Sequence, residues 1–286
     1  MNELLFNKQV WEDAWDNDPN ASLKQMKQAG IGSYQSKGFS KWAKAYNESS
    51  FSVEGRERSE RIIKWIENQV LSFQEMSTLD IGAASGVFSI PLAKRGAIVT
   101  ALEPSTDFAE MLATNVKNHS LDISVINKSF EEMVADHKSS YDLVFASMCP
   151  AITDWQMVKK AMGLSRKYFY ISMMAGPKKN YLMEEILSVI HIEKKICNSS
   201  DMAYLLHLLY LEGYAYQSLI ENHKKVTVMS IEDIVVRLTE WFIDYGINAD
   251  SVLLNKAESY LRQSYGNEIP VTTGGKFGKV LVHFEN

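Results

Sequence analysis

Asp80 stands two residues before Gly82, and Gly82, Ala84 and Gly86 follow at intervals of two in Thr78-Leu79-Asp80-Ile81-Gly82-Ala83-Ala84-Ser85-Gly86. A short apolar run that ends in a turn of small residues lets the backbone pass close to a ligand. A helix starting directly after that turn offers its free N–H groups to a phosphate or a carboxylate. A dinucleotide fingerprint would need a third glycine where Val87 stands, and a P-loop would need Gly-Lys-Ser/Thr; this stretch has neither. Glu103 ends the next apolar run, in Val99-Thr100-Ala101-Leu102-Glu103-Pro104-Ser105. An acid at that separation accepts both hydroxyls of a ribose, or else simply caps the helix that follows. Pro104 stops the run where a crevice is expected.

These residues need a frame that brings strand ends together. From Met76 onward short apolar runs alternate with amphipathic stretches: Thr78–Ile81, Ile98–Leu102, Ile123–Ile126, Leu143–Ala146 and Tyr168–Met173. Strands separated by helices specify right-handed βαβ crossovers and a parallel sheet. Asp80, Glu103 and Cys149 then all fall at carboxyl ends of strands, the edge where open α/β sheets bind ligands. Residues 1–75 read as helical and aromatic, with four of the six tryptophans, Trp11, Trp15, Trp42 and Trp65. The spacing of Ile62, Ile63, Ile66 and Val70 predicts a helix over Glu57–Leu71 with one apolar face. Residues 178–222 read as mostly helical; Lys224–Met229 and Lys279–Phe284 read as the last strands, with helices over Ile231–Tyr245 and Ser251–Tyr265 between them. Thr272–Gly278 reads as a turn.

The sequence resembles the class I S-adenosylmethionine-dependent methyltransferases. The resemblance rests on Leu79–Gly86, on Glu103 and on Tyr141-Asp142-Leu143-Val144-Phe145-Ala146 as the fourth strand, and covers residues 76–174. It implies a seven-stranded, mainly parallel Rossmann-like sheet with helices on both faces and S-adenosylmethionine as cofactor, leaving as S-adenosylhomocysteine. Asp80, Gly82, Ala84 and Gly86 would then hold the methionine end. Glu103, with Pro104 and Ser105 beside it, would hold the ribose, and Ser129, Phe130 and Glu131 the adenine. Ser147, directly after the fourth strand, would also touch the cofactor. Ala84 departs from the usual middle glycine, and Ser129 or Phe130 stands where many members have an acid. In this family a helical segment before the first strand often forms a lid, which makes residues 1–75 a candidate lid and places Trp42 and Tyr46 as cofactor-facing aromatics. Aromatic faces suit a sulfonium, although packing onto the sheet explains the same residues. Residues 76–286 would form the core, with 177–222 as a helical insertion on the substrate side.

The acceptor side would follow the fourth strand, in Ser147-Met148-Cys149-Pro150-Ala151-Ile152-Thr153-Asp154-Trp155. Enzymes that methylate planar amines carry Asn/Asp-Pro-Pro-aromatic there, and Cys149-Pro150-Ala151-Ile152 lacks the amine-gripping group. Cys149 is a candidate nucleophile or soft contact, or a small buried thiol. Asp154 is a candidate general base, or the cap of the next helix. The six histidines show no metal-ligand spacing, so no metal is expected, and two cysteines, Cys149 and Cys197, build no disulfide framework.

Thirty Lys and Arg against thirty-five Asp and Glu leave a net charge of −5, which argues against a dedicated nucleic-acid binder. The start of the chain has no signal-peptide pattern, and the most apolar long window, Met202–Ile220, holds His207, Glu212 and Gln217. The expectation is a cytoplasmic protein of one elaborated domain, without membrane contact, methylating a small-molecule acceptor. An RNA or protein methyltransferase, or a non-catalytic S-adenosylmethionine-binding partner protein, shares the same cofactor residues.

Overall fold

The computed structural model describes residues 2–28, 39–133, 140–193 and 201–284. Five helices open the chain: α1 (Asn2–Leu5), α2 (Lys8–Asn17), α3 (Ser22–Gln28), α4 (Phe39–Ser50) and α5 (Val53–Val70). Helix α5 begins where Ser52 Oγ accepts the Gly55 N–H at 3.1 Å, and it buries Ile63, Ile66 and Val70 along one stripe. The alternating region follows as β1 (Ser77–Ile81), α6 (Ser89–Ala93), β2 (Ile98–Leu102), α7 (Thr106–Asn118), β3 (Ile123–Ile126), β4 (Tyr141–Ser147), α8 (Trp155–Gly163) and β5 (Ser165–Met174). After it come β6 (Lys179–Asn180), α9 (Tyr181–Val189), α10 (Asp201–Leu211), β7 (Ala215–Ser230), α11 (Ile231–Asp244), α12 (Ser251–Ser264) and β8 (Glu268–His283).

The chain forms two compact units. The first comprises Met1–Met173, Asp201–Leu219 and Lys279–Asn286. Its strands lie in the order β3-β2-β1-β4-β5, all paired parallel, and residues 279–283 of β8 run beside β5. All five strands expected in residues 76–174 are present. Their inward faces are continuous apolar runs because helices cover both sides of a parallel sheet. Leu79, Leu143, Val144 and Phe145 are fully buried, and Ile63, Ile66, Ile90 and Leu112 cluster with Leu143 and Phe145 from α5, α6 and α7. Strand order reverses between β2-β1 and β1-β4, so a crevice is expected at the carboxyl end of β1.

The N-terminal helices are tied into this unit through α10. Asp201, fully buried, accepts the Trp15 indole N–H at 3.3 Å, and both the backbone N–H and the hydroxyl of Ser22 at 2.7 Å. The Tyr204 ring stacks on Trp15 with centroids 6.0 Å apart. The carboxylate therefore caps the start of α3 from another helix while its own charge is fully hydrogen-bonded.

The second unit comprises Met174–Ser200 and Ile220–Gly278. Leu182, Ile186, Ile234, Leu238, Phe242, Leu261 and Val271 form its core, drawn from α9, α11, α12 and β8. Strand β6 pairs antiparallel with β8, in register Lys179 with Gly274 and Asn180 with Thr273. The described residues hold eight strands where seven were expected. Two readings of residue type need correction. Residues 215–222 belong to β7, not to a helix, and Thr272–Gly278 is the body of β8 and not a turn. Segment 177–222 gives α9 to the second unit and α10 to the first. No described helix is long and apolar enough to cross a membrane.

Candidate functional site

A cavity of about 170 Å³ opens in the first unit at the carboxyl ends of β1, β2 and β4. Ile81, Gly82 and Ala84 line it after β1; Leu102, Glu103 and Pro104 after β2; Phe130 and Glu131 after β3; and Ser147–Ala151 after β4. Met26 of α3, Tyr46 of α4 and Phe108 of α7 complete the wall.

The loop after β1 is held in a conformation that ordinary side chains resist. Gly82 and Gly86 have φ of +73° and +93°, and Ala84 has +48°. The N–H groups of Gly82 and Ala83 both donate to Leu102 O, at 2.8 and 3.1 Å, which pins the loop to the end of β2. A Cβ on Gly82 would lie 2.8 Å from Cys149 Sγ, so glycine is required by space as well as by φ. Below the loop, Ser89 Oγ donates to Asp80 Oδ2 at 2.5 Å. Asp80 is buried, and burial pushes its carboxyl up to about 7.

Glu103 clamps two segments at once. Its Oε2 accepts the Ala84 N–H and its Oε1 the Ser105 N–H, each at 2.8 Å. Burial raises its carboxyl to about 7 against the pull of those two backbone bonds. Each carboxylate oxygen still has a lone pair to offer, the chemistry needed to accept a pair of vicinal hydroxyls.

Residues 78–166 match a family model described as the methyltransferase domain. These residues are those of a methyltransferase domain. An uncharacterized protein of Haemophilus influenzae is 27% identical over 139 residues, 48% of this chain and 50% of that protein. A ubiquinone biosynthesis O-methyltransferase of Caulobacter vibrioides is 32% identical over 72 residues, 25% of this chain and 29% of its own length. The chain thus spans half or less of the curated relatives it matches. Among solved structures, magnesium protoporphyrin IX methyltransferase from Synechocystis PCC 6803 with bound SAH aligns at 15% identity and a TM-score of 0.48, over 68% of this chain and 90% of that one.

Within the methyltransferase domain the sequence-derived residues separate into wall and support. Gly82, Ala84, Glu103, Pro104, Phe130, Glu131, Ser147 and Cys149 face the cavity, and Tyr46 joins them from α4. Asp80, Gly86, Ser105 and Ser129 stand behind the wall. Ser105 caps α7 through the Phe108 N–H, and Ser129 and Glu132 exchange side-chain-to-backbone hydrogen bonds at 3.1 and 3.3 Å. A Cβ on Gly86 would meet Leu112 at 2.6 Å, so that glycine serves helix packing. Trp42 belongs to α4, and its side chain lies outside the described residues, as does Cys197.

The two candidate catalytic residues both have structural tasks. Cys149 is buried, and burial pushes its thiol up to about 12, which leaves no thiolate for nucleophilic attack near neutral pH. It fills the space left by the missing side chain at Gly82. Asp154 Oδ1 accepts the Met157 N–H at 2.9 Å as the cap of α8, and its Oδ2 accepts the Thr153 hydroxyl at 2.8 Å.

Sequence reasoning missed four contributors. Asn127 Nδ2 donates to the carbonyls of Glu103 and Pro104, at 2.8 and 3.0 Å, and locks the turn after β2. Lys160 Nζ, from α8, donates to Phe130 O at 2.7 Å and Glu131 O at 3.1 Å, and sits 4.8 Å from the Phe130 ring centroid. Asn115 Nδ2 bridges Asn47 Oδ1 and Ser85 O, both at 2.9 Å, and so joins α4 to the glycine loop. Met26 reaches the wall from α3, and the neighbouring Lys27 pairs with Glu131 at 2.5 Å. An amide directly after a strand is a turn signal that pointed to Asn127. The other three act across long sequence separations with no local pattern.

Among the described residues no group of three or more His, Cys, Asp and Glu is placed to hold a metal ion. The residues present do fit S-adenosylmethionine. The wall combines a buried carboxylate, Glu103, with apolar and aromatic surface and with the side-chain-poor backbone of Gly82 and Ala84.

Proposed function

We propose that the protein transfers a methyl group from S-adenosylmethionine to a small-molecule acceptor. The observation that carries this reading is Glu103, a buried carboxylate that faces the cavity while tying the glycine loop to the end of β2. Glu103 would accept the ribose hydroxyls, and the backbone from Gly82 to Gly86 would hold the methionine end. Pro104 and Phe130 would flank the adenine. When bound, the cofactor would supply an activated methyl group on a sulfonium, to be taken by a lone pair of the acceptor. The chain's own task is to hold donor and acceptor in line and to exclude water, since positioning accounts for most of the rate in such a displacement.

The N-terminal segment would serve as the lid, because Met26 and Tyr46 stand in the cavity wall. A small acceptor is supported by the largely apolar wall and by the net charge of −5. Calorimetric titration with S-adenosylmethionine and S-adenosylhomocysteine tests the reading. Saturable binding of both is expected, together with a higher melting temperature. Folded protein that binds neither would overturn it.

A further inference from the structure

The acceptor side of the cavity is formed by Met26, Tyr46, Met148, Pro150 and Ala151. Met148 has φ of +48°, a strained value for a residue with a side chain. Two bonds to Ser172 hold it there: the Met148 N–H donates to Ser172 O at 3.1 Å and to Ser172 Oγ at 3.2 Å. Ser147 and Ser172 share a hydroxyl contact at 3.0 Å behind it. Met26 and Met148 thus present thioethers, which are soft, polarizable and able to fit against ring edges and faces. Tyr46 is packed edge-on against Phe108, with ring centroids 5.5 Å apart. Burial raises its phenol above the ordinary range.

The wall itself carries carboxylates and no cation. Glu103 and Glu131 are the carboxylates of the wall, and among its described residues there is no Lys, Arg or His. The two ammonium groups just outside are committed elsewhere, Lys27 to Glu131 and Lys160 to the carbonyls of Phe130 and Glu131. An anionic acceptor would lose its water with no cation of the wall to replace it. A cationic acceptor would stand against a sulfonium. We infer, resting on the methyl-transfer reading above, that the acceptor is an uncharged, predominantly apolar molecule with a ring-sized face, seated between Met148 and Tyr46.

A matched pair of probes tests this. Protein is first titrated with S-adenosylhomocysteine; failure at this step overturns the methyl-transfer reading itself. Protein saturated with S-adenosylhomocysteine is then titrated with 2-naphthol and with 2-naphthoate, which share a ring system and differ in charge. The expected result is that 2-naphthol binds at least about ten-fold more tightly. In Ala151→Lys, which places a cation in the wall, that preference should shrink or reverse, the S-adenosylhomocysteine affinity of the variant being measured first so that both probes are titrated at saturation. Equal or tighter binding of 2-naphthoate to the unsubstituted protein would overturn the inference. So would a saturated protein that binds neither probe, or a preference that Ala151→Lys leaves unchanged.

Discussion

Glu103 Oε2 accepts the Ala84 N–H at 2.8 Å, so the acid that ends β2 and the loop that ends β1 form one rigid unit. A substitution at Glu103 therefore removes a ligand for the cofactor and loosens the loop that cradles it. Glu103→Gln keeps one acceptor oxygen but turns an amide donor toward the other backbone N–H. Glu103→Ala leaves the N–H groups of Ala84 and Ser105 both without an acceptor. Calorimetry should show S-adenosylhomocysteine affinity reduced by about ten-fold for Gln and more for Ala, in line with ~1–3 kcal/mol per unsatisfied group. Affinities within about two-fold of wild type for both variants would remove Glu103 from the site.

Burial places the carboxyls of Asp80 and Glu103 near 7, above their ordinary values of 3.8 and 4.5. The folded chain then holds these protons more firmly than the unfolded chain. Stability contributed by the protonated groups is fully present below the ordinary carboxylate range and is lost as pH rises through about 7. His119 and His283, lowered by burial, act in the opposite sense. The effect is therefore read as a difference between wild type and Asp80→Asn. Between pH 5.5 and pH 8, urea unfolding of the ligand-free protein should show wild type losing on the order of 2 kcal/mol relative to Asp80→Asn. Parallel stability profiles for the two proteins would refute the assignment.

Cys149 lies against Gly82, and its thiol is buried and raised to about 12. In a Cys197→Ser background, a thiol-exchange reagent at pH 8 should leave the native protein unmodified and label Cys149 once urea unfolds the chain. Cys149→Ala removes one small buried group, so its stability cost should be about 1 kcal/mol, with S-adenosylhomocysteine affinity within about three-fold of wild type. Rapid labelling of the native protein would restore Cys149 as a reactive group.

The parts of the molecule legible in the sequence are those where burial and residue type agree. Leu79, Leu143 and Val144 are buried because β1 and β4 are covered on both faces, and such strands read as unbroken apolar runs. Strand β7 breaks that rule: only Lys224–Met229 of it read as a strand, since most of its sixteen residues are exposed and no apolar face marks 215–223. The glycines of β8 misled in another way. Gly274 and Gly275 look like a turn, yet a Cβ at Gly274 would lie 2.4 Å from His223 O, so the strand needs glycine for a close backbone approach. The cofactor loop was legible because its residues are contiguous. Met26 and Asn115 were not, because only tertiary packing brings them to the cavity and the loop.

Lys160 is the clearest residue of that second kind, and it makes a prediction that separates positioning from simple stability. It reaches from α8 to the carbonyls of Phe130 and Glu131 and lies over the Phe130 ring, and burial lowers its ammonium below the ordinary lysine range. A charged donor that satisfies two loop carbonyls holds the segment after β3 in one conformation, and that segment forms the proposed adenine side of the cavity. Lys160→Met leaves both carbonyls without this partner. Affinity for S-adenosylhomocysteine and for 5′-methylthioadenosine should fall together, by about ten-fold, because both carry adenine. Lys160→Arg should recover part of each, since a guanidinium offers several donors to the same two oxygens. A lower melting temperature with both affinities unchanged would make Lys160 a stability residue only and would detach the loop at Phe130 from cofactor recognition.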